Sequence, residues 1–130
     1  MNRIRAYAEM IEEINRAGKV KIAFMHSPLE SLRFESETIN VFRIVQEGLT
    51  NILKYAKATR VKVSLRVVKD RLKIKIVDNG CGFILKDKSK GLGLITMNER
   101  TSLLGGSIEI QTQPKTGTSI IVDIPCRREA

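Results

Sequence analysis

Tryptophan is absent from this 130-residue chain, tyrosine occurs twice, phenylalanine four times and histidine once. So small an aromatic complement leaves few side chains for stacking on nucleobases, which argues against a nucleic-acid-binding module. The two cysteines, Cys81 and Cys126, show no metal-ligand spacing; both are expected to be reduced, which suits a cytoplasmic protein. No run approaches the roughly 18–20 apolar residues of a membrane span. The first residues, MNRIRAYAEM, lack the apolar centre of a secretory signal. Neither GxxxxGK[ST] nor GxGxxG occurs, so two common glycine-rich phosphate cradles are excluded. The single histidine, His26, falls at a strand end and reads as structural or exposed.

What is present is an ordinary globular composition, 42% hydrophobic, long enough for one compact domain with a real core. The formal net charge is +9, and its location is uneven. Between Lys54 and Lys90 there are 12 Lys/Arg against 3 Asp/Glu, so this stretch carries the whole surplus. Such a concentration suits a nucleic acid, an anionic membrane or a polyphosphate ligand. A solvated, lysine-rich sheet face accounts for it equally well, because most of these lysines alternate with strand residues.

The hydrophobic pattern predicts a helix over 3–17, with Ile4, Tyr7, Ile11 and Ile14 on one face and Gly18 as its stop. KVKIAF reads as a short strand, and Pro28 breaks the connection after it. The strongest helix runs from Thr38 to Ala58, with Phe42, Val45, Leu49, Ile52, Leu53 and Ala56 as its apolar face. Arg43, Glu47, Asn51 and Lys54 form a second, polar stripe on it. Two alternating strands follow, Val61–Val67 and Leu72–Ile76, joined by a tight Lys69-Asp70 hairpin. ILKDKSKGLG reads as a loop, Leu94–Leu104 as a helix ended by Gly105-Gly106, and SIEIQT and TSIIVDI as the last strands. These elements predict a two-layer domain of α+β class, a mostly antiparallel sheet covered on one face by helices.

Three places carry residues suited to chemistry. Asp78 stays in phase with Leu72, Ile74 and Ile76, so it points to the core side, where a carboxylate is costly without a donor. It reads either as the cap of the following turn or as an acceptor for an exocyclic amine such as that of adenine. Gly80 and Gly82 allow close backbone approach beside it. GLGL at 91–94 opens a helix whose N–H groups suit an anion, and Lys86, Lys88 and Lys90 precede it. In the polar stripe, Asn51 offers a hard oxygen suited to Mg²⁺, Lys54 and Arg43 offer charge for phosphate, and Glu47 a carboxylate. A solvated helix face explains the same stripe.

Taken in order, these motifs resemble those of the ATPase superfamily that unites histidine kinases, gyrase, Hsp90 and MutL. EGLTNILKYA resembles its N box, DNGCGF its first glycine box, GLGL its second and GTSIIVDIP its closing strand. FRIVQEGLTNILKYA, GLGLITMNER and LGGSIEIQT are most similar to the nitrate-sensor and desaturase-sensor subfamily of two-component histidine kinases. The similarity covers about residues 19–125.

The resemblance implies a Bergerat-type α/β sandwich that binds Mg–ATP. It implies that Asn51 coordinates Mg²⁺ with Glu47 beside it as the N-box acid, and that Lys54 contacts phosphate. Asp78, with Thr118 in its water network, would take the adenine amine. Gly80, Gly82 and Phe83 would flank the nucleotide, and residues 84–93 would form a lid, with Lys90, Gly91, Leu92, Gly93 and Leu94 near the phosphates. Tyr55 stands where subfamily members often carry histidine.

No phosphoacceptor histidine with its arginine-rich and acidic context is present. The chain therefore reads as a catalytic domain, 19–126, preceded at 1–18 by a helix that is either a remnant of the connection to a dimerisation domain or the first helix of the domain. The implied partners are ATP or ADP, that dimerisation domain, through which the full protein forms a homodimer, and a response regulator. The isolated domain is expected to be a monomer, with no nucleic acid bound, and the location cytoplasmic. An anti-sigma-factor serine kinase of the same superfamily is the alternative.

Overall fold

The computed structural model describes residues 3–27, 38–80, 91–113 and 116–126. Helix α1 (Arg3–Ala17) leads to strand β1 (Lys21–His26), and helix α2 (Thr38–Asn51) continues into a π-helical turn, Ile52–Ala56. Strands β2 (Arg60–Val68) and β3 (Arg71–Asp78), helix α3 (Gly91–Leu103), and strands β4 (Ser107–Gln113) and β5 (Gly117–Pro125) complete the order. The expected breaks at Pro28 and Pro114 and the loop at 81–90 lie outside the described residues.

The strands make one five-stranded sheet in the order β1-β2-β3-β5-β4. β1 runs parallel to β2, and the remaining neighbours are antiparallel. Alternation sorts the sheet's side chains strictly. Val61, Val63 and Leu65, Leu72, Ile74 and Ile76, and Ile120, Val122 and Ile124 are all buried in one core with the helices. Val68 pairs with Arg71, which leaves a two-residue turn in which Lys69 takes a left-handed φ of 57°. The Cys126 amide donates to the Asp70 carbonyl at 2.8 Å and ties the end of β5 to that turn.

Helix α1 is built into this core. Tyr7 and Ile11 are buried, and the Tyr7 ring meets Phe24 of β1 at 6.0 Å and Phe42 of α2 edge-on at 5.2 Å. The Asn15 side chain bonds both backbone groups of Ile22, accepting from its amide at 2.6 Å and donating to its carbonyl at 3.1 Å. Such reciprocal pairing holds the edge strand against the helix.

On α2 and the start of the π turn the buried positions other than Asn51 are Val41, Ile44, Val45, Gly48, Leu49 and Ile52, a stripe with alternating steps of three and one. Leu53, expected on this face, is 46% exposed. It lies about 100° round the helix from Ile52, beyond the margin of the stripe. The single helix expected from Thr38 to Ala58 ends its α-helical part at Asn51; Lys57, with φ 52° and ψ 36°, closes the π turn. No glycine marks this stop, and a non-glycine residue in that conformation costs about 1 kcal/mol. Helix α3 begins at Gly91, three residues before the expected Leu94, so GLGL forms its first turn and opens the helix.

Candidate functional site

The connection from the π turn to β2 is only 57–59, so the end of α2 lies at the end of the sheet where β2 begins. There Val61 of β2 pairs with Asp78, the last residue of β3, and Asp78 pairs with Thr118 of β5. Gly48 fixes how closely α2 crosses this part of the sheet, since a Cβ on it would come within 2.7 Å of Ile76 Cδ1. Asn51 is one turn beyond Gly48, and Asp78 two residues beyond Ile76 on the same face. The two sequence-predicted residues are thus brought to one end of one face.

Helix α3 reaches the same end. Arg100, in its last turn, donates to Asn40 in the first turn of α2 at 3.0 Å, while Met97 sits by Gly48. The helices therefore run antiparallel, which carries the backbone of Gly91–Leu94 toward Asn51.

The polar stripe on α2 turns as it climbs. Steps of four residues advance about 40° round a helix. Accordingly Arg43 is exposed, Glu47 half-buried and Asn51 only 5% exposed. Lys54, in the π turn, is exposed, and Arg43 donates to Gln46 at 2.8 Å. π turns within helices are frequent at functional sites, and this one begins directly after Asn51.

Asp78 is 4% exposed. Its Oδ1 accepts from the Gly80 amide at 2.8 Å, so the turn-cap reading holds for one oxygen. The other has no partner: among the described residues the buried side-chain atoms left without a hydrogen bond are Asn51 Nδ2, Asp78 Oδ2 and Arg100 Nε. An unpaired buried polar atom costs about 1–3 kcal/mol. Burial pushes the Asp78 carboxyl above the ordinary range, while the amides of Gly80 and Thr118 pull it back. Thr118 is buried opposite, and its hydroxyl lies 3.1 Å from that of Thr112. Gly82, Phe83 and Lys90 lie outside the described residues.

Two structural residues of this corner are not apparent from the sequence pattern. Asn79 Oδ1 accepts from the amides of Thr59 and Arg60 at 3.0 and 2.9 Å, and its Nδ2 donates to Thr59 Oγ1 at 3.0 Å. It clamps the end of β3 to the start of β2, and its place inside DNG is the only signal. Asn79→Ala is expected to cost about 1 kcal/mol and lower the melting temperature by a few degrees. Thermal unfolding checks this. Gly117 (φ 129°) is the second; a Cβ there would come within 2.1 Å of the Asp78 carbonyl oxygen.

Among the described residues no cluster of three or more His, Cys, Asp or Glu side chains could hold a metal by itself. No described helix is long and apolar enough to cross a membrane.

Comparison with known proteins bears on this corner. Residues 36–128 match the histidine kinase-, DNA gyrase B- and HSP90-like ATPase family. The chain is 43% identical over 96 residues to the signal transduction histidine-protein kinase/phosphatase DegS of Brevibacillus brevis. The match covers 73% of this chain and 25% of DegS, so the chain spans about a quarter of that relative's length. The histidine kinase domain of the Erythrobacter litoralis EL346 blue-light activated kinase superposes with a TM-score of 0.69 at 25% identity, covering 94% of this chain and 58% of that one. The ATP-binding domain of PrrB from Mycobacterium tuberculosis shares the fold, with a TM-score of 0.70 at 20% identity, covering 92% and 90% of the two chains.

Proposed function

The chain belongs to the histidine kinase-, DNA gyrase B- and HSP90-like ATPase family, and on that premise we propose that it is the ATP-binding catalytic domain of a sensor histidine kinase. It binds Mg–ATP and presents the γ-phosphate to a histidine on a separate dimerisation domain, for relay to a response regulator. The observation that supports this most is the pair of buried polar atoms without partners, Asn51 Nδ2 and Asp78 Oδ2, at one end of the helix-covered sheet face.

Each atom suits a different part of the ligand. A carboxylate oxygen accepts from the exocyclic amine of adenine, a group that guanine replaces with an acceptor. An amide N–H donates to a phosphate oxygen, while the Asn51 carbonyl offers Mg²⁺ a hard ligand. The metal, carried in with the phosphates, would neutralise their charge. Glu47, one turn before Asn51, would offer the metal's surroundings a carboxylate or accept a proton, without being the sole base. Lys54, exposed beside this end of α2, is free to swing toward phosphate. The first turn of α3 directs backbone N–H groups to the same end. Catalysis then rests on positioning and charge neutralisation.

Of the two readings of residues 1–18, the burial of Tyr7 and Ile11 supports the first helix of this domain over a mere connection; the full protein is a homodimer through its separate dimerisation domain, and alone the catalytic domain is a monomer. A cytoplasmic location belongs to the same proposal.

The test mixes this chain with a separately expressed dimerisation domain and ATP labelled on its γ-phosphate. An acid-labile, alkali-stable phosphoryl group on the partner's histidine is expected. An acid-stable phosphoserine would overturn the proposal in favour of an anti-sigma-factor type of serine kinase. Asn51→Ala is expected to remove the Mg²⁺ dependence of ATP binding, with titrations of the variant agreeing within about twofold with and without the metal.

A further inference from the structure

The face of the sheet turned away from the helices carries a feature that nucleotide binding does not use. Alternation puts Arg60, Lys62, Arg66, Arg71, Lys73 and Lys75 on that face of β2 and β3. Asp123 of β5 neutralises part of this charge, with Arg71 at 2.6 Å and Lys73 at 3.1 Å. Lys62, Arg66 and Lys75 have no carboxylate within ion-pair distance among the described residues, and they line a trough of about 550 Å³ with Met25, Ser64 and Val77. Arg66 also stands directly opposite Lys73 in the ladder. Like charges directly opposite destabilise a sheet, so folding alone gives no reason for this pairing.

The lining indicates what would fit. Lys62 and Arg66 are four residues apart on one strand, about 13 Å, which is too wide for a single small anion to engage both. Met25, 59% exposed, and Val77 add apolar surface between the cations, which a purely ionic ligand leaves unused. His26 carries the one aromatic ring in the trough's lining, and that ring already packs on Phe24 at 5.2 Å, which leaves no row of rings on which successive nucleobases could stack.

We propose that this trough is a docking site for an acidic peptide segment of a protein partner. Its carboxylates pair with Lys62, Arg66 and Lys75, and an apolar side chain of the segment settles on Met25 and Val77. Val77 and Asp78 point to opposite faces, so the docked segment and the nucleotide do not compete for space.

Fluorescence anisotropy tests this with a labelled peptide of repeated Glu-Glu-Leu. Its controls are the same peptide with Gln for Glu, a single-stranded oligothymidylate and tripolyphosphate. The acidic peptide is expected to bind the chain and the Gln peptide to fail. Combining Lys62→Gln, Arg66→Gln and Lys75→Gln should weaken acidic-peptide binding at least about tenfold, as should ~0.5 M salt. The same variant should keep its ATP affinity and melt no lower than the parent. Equal peptide binding by variant and parent would overturn the proposal. So would tighter binding of the oligothymidylate or of tripolyphosphate, or a lower melting temperature, which would assign these cations to folding.

Discussion

Asp78→Asn is expected to bind ATP roughly 10- to 100-fold more weakly, while melting at the same temperature as the parent chain or higher. The two effects have one cause. In the free protein Asp78 Oδ2 is buried without a donor, and burial pushes the carboxyl above its ordinary range. The folded state therefore holds the Asp78 proton more tightly than the unfolded chain does. Above the raised pKa the ionised group costs stability; as the pH falls through it, that cost disappears. An amide at this position removes the charge and its cost; with its oxygen held by the Gly80 amide, it turns an N–H donor toward the adenine amine in place of the acceptor. Calorimetric titration and thermal unfolding of both proteins across the mildly acidic range check this. The parent should lose ATP affinity on acidification at a higher pH than an ordinary carboxylate would dictate. The variant should show neither that loss nor the pH-dependent part of the stability. A variant that loses stability and keeps its affinity would make Asp78 a turn cap and nothing more.

Gly117→Ala is expected to be the most damaging small substitution in the chain. Its φ of 129° is strained for any residue with a side chain, and the added Cβ would come within 2.1 Å of the Asp78 carbonyl oxygen. That obstacle is backbone, at the end of the β3–β5 ladder where Asp78 pairs with Thr118, so it has no rotamer with which to move aside. A cost of about 3 kcal/mol follows from strain and overpacking together, a fall in melting temperature on the order of 10 °C. Because the displaced strand end carries Asp78, nucleotide affinity should fall in whatever fraction stays folded. Gly48→Ala is a useful contrast. Its close contact is the tip of the Ile76 side chain, which can shift, so its penalty should be well below that of Gly117→Ala.

The sheet was legible because its code is local. Val61, Val63 and Leu65 alternate with Lys62, Ser64 and Arg66, and a period of two admits one reading. Asp78 was legible for the same reason, since its phase could be counted from Leu72. The π turn after Asn51 was not, because Ile52–Ala56 contains no residue that breaks a helix; short connection to β2, not local propensity, decides where α2 must stop. The rotation of the polar stripe was implicit in its spacing, but only the position of the core could say that Asn51, and not Arg43, turns inward. Gly117 and Asn79 act across strands that are far apart in the chain, so neighbouring residues could not reveal them. The place of α1 in the core rests on Tyr7 meeting Phe24 and Phe42, three rings that the sequence presents in three separate elements.

The central claim is that nucleotide enters between the end of α2 and the ends of β3 and β5. The most direct measurement is the amide NMR spectrum of the isotope-labelled chain, titrated with Mg–ATP and, separately, with Mg–GTP. With Mg–ATP the Asn51 side-chain amide and the backbone amides of Gly80 and Thr118 are predicted to shift together and saturably, with little response at Lys62, Ser64 or Lys75. Mg–GTP should leave Gly80 and Thr118 nearly unmoved. Shifts confined to the outward face of β2 and β3, or an equal response to both nucleotides, would contradict the account.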